Sequence, residues 1–175
     1  MNIPVLETER LRLREPRQAD YEAYAAMMAD AETVRYLRGV PLTRDIAWRD
    51  WATLAGHWML RGYGYWAVER KDTGAFIGRC GLWNPEGWPG MEVGWTIERS
   101  LWGRGYAGEA GRAAMDYALN NFDIDELLSV IHVDNAASMA VAQKLGERRL
   151  REMEILGLPV AIFGISRAEL VKRQA

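Results

Sequence analysis

The sequence predicts a mixed fold of the α+β (α/β) class, a mostly antiparallel central sheet of about seven strands flanked by helices. Three observations lead there. Apolar residues recur with a period of two in some stretches and at spacings of three and four in others, in the order β, α, α, β, β, β, α, β, α, β, β. The three consecutive strands in the middle follow one another without an intervening helix, so they pair antiparallel as a meander. No linker, repeat or low-complexity tract interrupts the 175 residues, so residues 1–175 are expected to form one domain.

In chain order, Thr8 to Arg14 alternates polar residues with Leu11 and Leu13, the pattern of a half-buried strand. Asp20 is placed to cap a helix whose Tyr21, Tyr24, Ala25 and Met28 share one stripe, and Asp30 to Leu37 predicts a second short helix ending at Gly39. Beyond Pro41, Thr43 is a good N-cap for a helix from Arg44 to about Arg61, with Trp48, Trp51, Leu54, Ala55 and Trp58 at three and four spacing and Gly62 as its stop. Tyr65 to Arg70 and Phe76 to Leu82 form a hairpin around Lys71-Asp72-Thr73-Gly74, in which Gly74 supplies a positive φ. Trp83 to Gly90, with two prolines and two glycines, is a loop, and Met91 to Ile97 resumes strand character. Gly105 to about Asn121 is a helix whose Ala107, Ala110, Gly111 and Ala114 let it lie close on a sheet. Leu127 to Val133 is a strand. Asp134 and Asn135 cap a helix through Ala137, Val141, Ala142 and Leu145 that Gly146 ends, and Arg149 to Ile155 and Val160 to Arg167 are the last strands.

Composition narrows the function. Hydrophobic residues at 49% and charged residues at 26% are ordinary globular proportions, which excludes disordered, collagen-like and fibrous chains. A net charge of -2 supplies no global positive field for nucleic acid or acidic lipid, and the short basic cluster Arg148, Arg149, Arg151 reads as a solvated strand edge. The longest apolar run, Gly157 to Ile165, is far short of the ~20 residues of a membrane helix. Cys80 has no disulfide partner, and with His57 and His132 it is too sparse for a zinc site, so a metal-free cytoplasmic protein is expected. Eight tryptophans, from Trp48 to Trp102, crowd the middle third, where such rings serve a core, a ligand pocket or a homodimer seam alike.

The segment Trp102-Gly103-Arg104-Gly105-Tyr106-Ala107-Gly108-Glu109-Ala110 follows a strand and opens a helix, so its glycines can turn several backbone N–H groups toward one point. Unpaired amides and the helix dipole both stabilise an anion such as phosphate there, although the same turn also serves tight packing alone. Read literally, Gly103-x-Gly105-x-x-Gly108 is also the dinucleotide fingerprint, with Asp134 as a ribose-binding acid. Two features oppose that: Glu98 to Trp102 intervene between strand and first glycine, and too few residues follow Asp134 to complete a doubly wound sheet.

These residues resemble the GNAT acetyltransferases, and within them the RimJ/RimL-like branch. The resemblance spans about Leu6 to Leu170 and rests on Leu6-Glu7-Thr8-Glu9-Arg10-Leu11-Arg12-Leu13-Arg14, Glu92-Val93-Gly94-Trp95, the Trp102 to Ala110 turn, and Asn135-Ala136-Ala137-Ser138 with Lys144-Leu145-Gly146. It implies a sheet splayed between strands four and five and acetyl-CoA as co-substrate. The implied cofactor contacts are amides from Trp102, Gly103, Arg104, Gly105, Tyr106, Ala107 and Gly108 on the pyrophosphate, backbone of Trp95, Thr96 and Ile97 along the pantetheine arm, and Asn135 and Ser138 across the splay. The implied acceptor is an amine, on a small molecule or at a peptide N-terminus.

An amine with a pKa of ~8 to ~10.4 is mostly protonated at neutral pH and needs a base. Glu92, a carboxylate in the middle of an apolar strand, is the candidate, directly or through water; its alternative is solvent or an arginine partner. The oxyanion is expected to meet a backbone N–H at a bulge near Gly94 and Trp95. The family's usual acid, a tyrosine seven residues after the asparagine, is replaced by Ala142, which leaves Ser138 as the remaining hydroxyl and admits a catalytically silent CoA-binding module as the alternative function. Trp48, Trp51, Trp58 and the Trp83 to Gly90 loop are expected to wall the acceptor pocket, with Glu86 and Glu92 balancing a cationic acceptor.

Overall fold

The computed structural model describes residues 3–174, so positions 1, 2 and 175 of the expected domain lie outside the described residues. The chain runs β1 (Leu6–Glu7), β2 (Leu11–Arg14), α1 (Tyr21–Ala29), α2 (Ala31–Val34), α3 (Arg44–Arg61), β3 (Tyr65–Arg70), β4 (Phe76–Trp83), β5 (Glu92–Ile97), α4 (Tyr106–Asn121), β6 (Glu126–His132), α5 (Ala136–Leu145), β7 (Arg148–Ile155), β8 (Leu158–Ser166) and α6 (Arg167–Gln174). Eight strands, against the seven expected, form one sheet in the order β1-β2-β3-β4-β5-β6-β8-β7. The extra strand comes from the N-terminal alternation. Thr8 folds back on Leu11 through its backbone N–H (2.9 Å) and its hydroxyl (3.2 Å), so the stretch from Thr8 begins with a turn and Leu6 pairs with Leu13.

All pairings are antiparallel except β5 with β6. That parallel contact is limited to Glu92 opposite Leu128, with the Leu128 N–H on the Met91 carbonyl (2.9 Å), after which the two strands diverge toward their C-terminal ends. This is the expected splay. A parallel, antiparallel-flanked sheet of this order excludes the doubly wound alternative.

Alternation along the strands divides the core between two faces. Leu11, Leu13, Trp66, Val68, Cys80, Leu82, Val93 and Ile97 pack under α4, whose Ala110, Ala114, Met115 and Ala118 bring the helix axis close. On the other face α1 and α3 cover Tyr65 and Ala67, with Tyr24, Met28, Trp51 and Leu54 inside. Gly62 ends α3 at φ 75°, as expected. Asp20, by contrast, makes no cap bond to α1: its buried carboxylate takes the Arg14 guanidinium (2.7 and 2.8 Å), and Arg14 also binds Glu69 (2.6 Å). Thr43 likewise turns its hydroxyl to Asp45 (2.5 Å) and makes no cap bond.

Candidate active site

The splay leaves a narrow cleft between β5 and β6, lined among others by Tyr36, Tyr65, Arg79, Glu92, Gly94, Trp95, Thr96, Asn135 and Ser138. Beyond the C-terminal end of β5 the chain enters the glycine turn that opens α4. Gly103 (φ 75°) and Gly105 (φ 83°) are both left-handed, a conformation L side chains rarely adopt, and Gly105 is the N-cap of α4. The first helical bond runs from the Glu109 N–H to the Gly105 carbonyl (3.0 Å), so the N–H groups of Tyr106, Ala107 and Gly108 precede the ladder and remain for an anion. Gly108 has open space where a Cβ would go and needs no glycine for steric reasons. The Arg104 side chain is exposed, while its carbonyl accepts from Arg10 (2.9 Å). The Tyr106 ring turns inward under the Arg10 guanidinium at 4.5 Å, so Tyr106 contributes backbone only. Arg10 also binds Glu109 (2.6 Å), which compensates an acid in the first turn of α4.

The backbone of β5 divides its hydrogen-bonding groups by parity. The Glu98 N–H on the Ile77 carbonyl (2.9 Å) sets the phase, so even residues from Glu92 to Thr96 point to β4 and odd residues point to the cleft. Three odd carbonyls have partners: Met91 has Leu128, Val93 has the Ser129 hydroxyl (2.8 Å), and Ile97 has the Trp102 indole N–H (2.7 Å). Trp95 therefore presents both backbone groups to the cleft and Ile97 its N–H. Thr96, expected to meet the cofactor through its backbone, instead pairs with Arg79 on β4 and offers the cleft only its side chain. The register of β4 and β5 is continuous through Gly94 and Trp95, so the expected bulge is not there, and the N–H that faces the cleft is that of Trp95.

Glu92 is buried, 7% exposed, and accepts the Trp88 indole N–H on Oε2 (2.6 Å). Burial pushes its carboxyl up to about 7, opposed by the Trp88 hydrogen bond and the Arg79 charge. Gly94 makes room for it: a Cβ there would lie 2.1 Å from the Tyr65 hydroxyl and 3.0 Å from Glu92 Oε1, so both groups stand over one glycine. A second acid lies deeper. The Ser129 hydroxyl donates toward both the Val93 carbonyl (2.8 Å) and Glu147 Oε1 (3.0 Å). Burial holds that acid protonated up to about 8, helped by the nearby Glu92, and Glu147 Oε2 has no partner, which a neutral acid tolerates better than a carboxylate. Tyr65, Arg79, Ser129 and Glu147 were not singled out from sequence. Glu147 alone carried a signal there, a charge placed directly after the Gly146 stop at a strand start.

Asn135 and Ser138 both line the cleft, and the Asn135 side chain caps α5 at the Ser138 N–H (3.1 Å). Ala142 is fully buried among Ile131, Ala161 and Phe163, so a small side chain in the core occupies the place of the family's acid. The expected aromatic wall is absent from the cleft. Trp51 and Trp58 are core, Trp58 bonding the Tyr65 carbonyl (2.9 Å), while Trp48 is 51% exposed. Of the expected loop, Trp83 belongs to β4, opposite Glu92 and 5.6 Å from the Tyr65 ring centre, Trp88 approaches through Glu92, and Glu86 is fully exposed beside Arg61.

Comparison with known proteins agrees with this geometry. The Acetyltransf_3 family, an acetyltransferase (GNAT) domain, matches residues 10–148. The uncharacterized protein YkkB of Bacillus subtilis (strain 168) is 32% identical over 166 residues, spanning 90% of this chain and 93% of YkkB. The crystal structure of an acetyltransferase from Agrobacterium tumefaciens str. C58 superposes with a TM-score of 0.84 at 29% identity, covering 94% of this chain and 95% of that one. RimL, a ribosomal L7/L12 alpha-N-protein acetyltransferase solved in complex with coenzyme A, shares the fold at a TM-score of 0.77 and 17% identity, covering 93% and 98% of the two chains. The chain belongs to the GNAT acetyltransferase family and is an acyltransferase.

Proposed function

We propose that this acetyltransferase carries acetyl from acetyl-CoA to a primary amine by direct attack in a ternary complex, with the whole chain acting as one catalytic domain. The observation that supports this most is the combination of unpaired Trp95 backbone groups in the cleft with the unladdered amides of Tyr106, Ala107 and Gly108 at the start of α4. Amides of the Gly103 to Gly108 turn hold the diphosphate, and the arm adds to β5 as a short strand.

Glu92, half ionised near neutrality, takes the ammonium proton directly or through one water, and the freed amine attacks the thioester carbonyl. The Trp95 N–H receives the developing oxyanion. Collapse breaks the C–S bond, the electron pair leaves on sulfur, and the second proton that the attacking nitrogen loses passes to the thiolate, relayed by the Ser138 hydroxyl or by water. Ser138 is near the cleft and its hydroxyl has no protein partner among the described residues.

The test is calorimetry with acetyl-CoA. Gly105→Glu, which forces a side chain and a negative charge on a residue at φ 83°, weakens binding by 100-fold or more. Unchanged affinity refutes the cradle. Buried Ala142 favours one other reading, a silent CoA-binding module, and that reading predicts binding without thiol release for any amine.

A further inference from the structure

The acceptor side of the cleft holds a half-buried cation. Arg79 lies on β4, on the same face as Tyr65, Glu92 and Gly94, and lines the cleft. Its guanidinium lies 4.2 Å from the centre of the Tyr65 ring, a platform that fixes the plane of its donor fork. Its Nε is buried with no acceptor; the Tyr65 hydroxyl is the guanidinium's neutral hydrogen-bond partner, and no carboxylate among the described residues forms an ion pair with it. Burial works against its charge, but a guanidinium keeps its proton in a protein, and the Asp50 charge favours it. Asp50, the acid it feels from the helical layer, is already engaged by the Tyr24 hydroxyl and Arg38. Glu92, across the glycine floor, is drawn toward its charged form by Arg79 but is not ion-paired to it.

A partly desolvated guanidinium without a counter-ion is a ready partner for a group that supplies the negative charge. The expectation of a cationic acceptor loses its second acid, because Glu86 is out in solvent. We propose that Arg79 is an anion subsite for the acceptor, and that the acceptor is a small amino acid or amino-acid-like molecule whose free carboxylate pairs with Arg79 while its amine faces Glu92. The paired carboxylate fits the planar fork in two parallel hydrogen bonds, and a peptide N-terminus or a polyamine has no such group at that distance. This inference rests on the acetyl-transfer reading above and names the substrate class of the same site.

The experiment measures kcat/KM by thiol release for matched pairs, an amino acid and its amide, such as L-methionine with L-methioninamide and β-alanine with β-alaninamide, plus spermidine. Wild type and Arg79→Gln are compared as the ratio of acid to amide, so the different basicity of the two amines cancels. Wild type favours the acid, and Arg79→Gln lowers the ratio 10- to 100-fold, with the fold-change falling between the two for Arg79→Lys, which keeps the charge and loses the fork. Should Arg79→Gln not fold, the wild-type preference and the Arg79→Lys ratio decide alone. A ratio that Arg79→Gln leaves unchanged, or wild type that acetylates amides or spermidine in preference to amino acids, overturns the subsite and leaves acetyl transfer standing. Wild type that releases no thiol with any amine overturns acetyl transfer, and the subsite with it.

Discussion

The two faces of β5 differ in kind although burial is almost the same on both. Val93 and Ile97 point toward α4 and are enclosed by apolar neighbours, whereas Glu92, Gly94 and Thr96 point toward the α1 and α3 layer and meet Tyr65, Trp88 and Arg79. On the first face burial stabilises the fold; on the second it raises the proton affinity of Glu92 and leaves Arg79 without an ion pair. A run of residues that reads as one apolar strand thus serves stability on one side and reactivity on the other, and the division follows the period-two geometry of a strand.

Substitutions on opposite faces should separate these roles. Glu92→Gln has the largest expected effect: turnover with any accepted amine falls ~100-fold or more at pH 7, and the gap narrows at pH 9 as acceptors lose their proton unaided. Wild-type kcat/KM rises through pH 7, where Glu92 ionises, and that limb disappears in Glu92→Gln. The same loss at every pH would remove Glu92 as base. Val93→Ala on the other face lowers stability by about 2 kcal/mol, read by urea unfolding, because it empties part of the α4-side core. Turnover per folded molecule stays within a few-fold, and a 100-fold fall there would erase the distinction between faces.

Glu147 sharpens the comparison from below. The folded chain keeps its proton up to about 8 while an unfolded carboxyl releases it near ~4.3, so wild-type stability falls as pH rises from about 5 through 8. Glu147→Gln flattens that fall by an amount on the order of 2 kcal/mol, measured as melting temperature against pH; an unaltered slope would mean that Glu147 is ionised in the fold. Trp88→Phe gives the smallest change. It removes a hydrogen bond that favours the charged form of Glu92, so the ascending limb of the pH profile moves to higher pH by a fraction of a unit, and a shift to lower pH would contradict the assigned contact.

Much of this was legible in the residues. The hairpin of β3 and β4 with its left-handed Gly74, the α4 turn, the Gly62 and Gly146 stops and the placement of Glu92 on β5 followed from period and local chemistry. The Thr8 turn was hidden because alternation of polar and apolar residues continues across it. Backbone parity was hidden too: periodicity says which face a side chain takes, but only the pairing with β4 decides that Thr96 hydrogen-bonds away from the cleft. Tyr65 and Arg79 were unreadable for a different reason. They are ordinary strand residues until the sheet brings β3, β4 and β5 side by side. Trp51 and Trp58 of α3 meet the core rather than the cleft, and Trp48 faces solvent.

The central claim is that the α4 turn grips a diphosphate while the β5–β6 gap admits the chain attached to it, and a crystal structure with coenzyme A bound tests this directly. The account predicts phosphate oxygens within hydrogen-bond reach of the Tyr106, Ala107 and Gly108 amides and the thiol end beside Trp95. Coenzyme A seated elsewhere, with those amides in water, would contradict it.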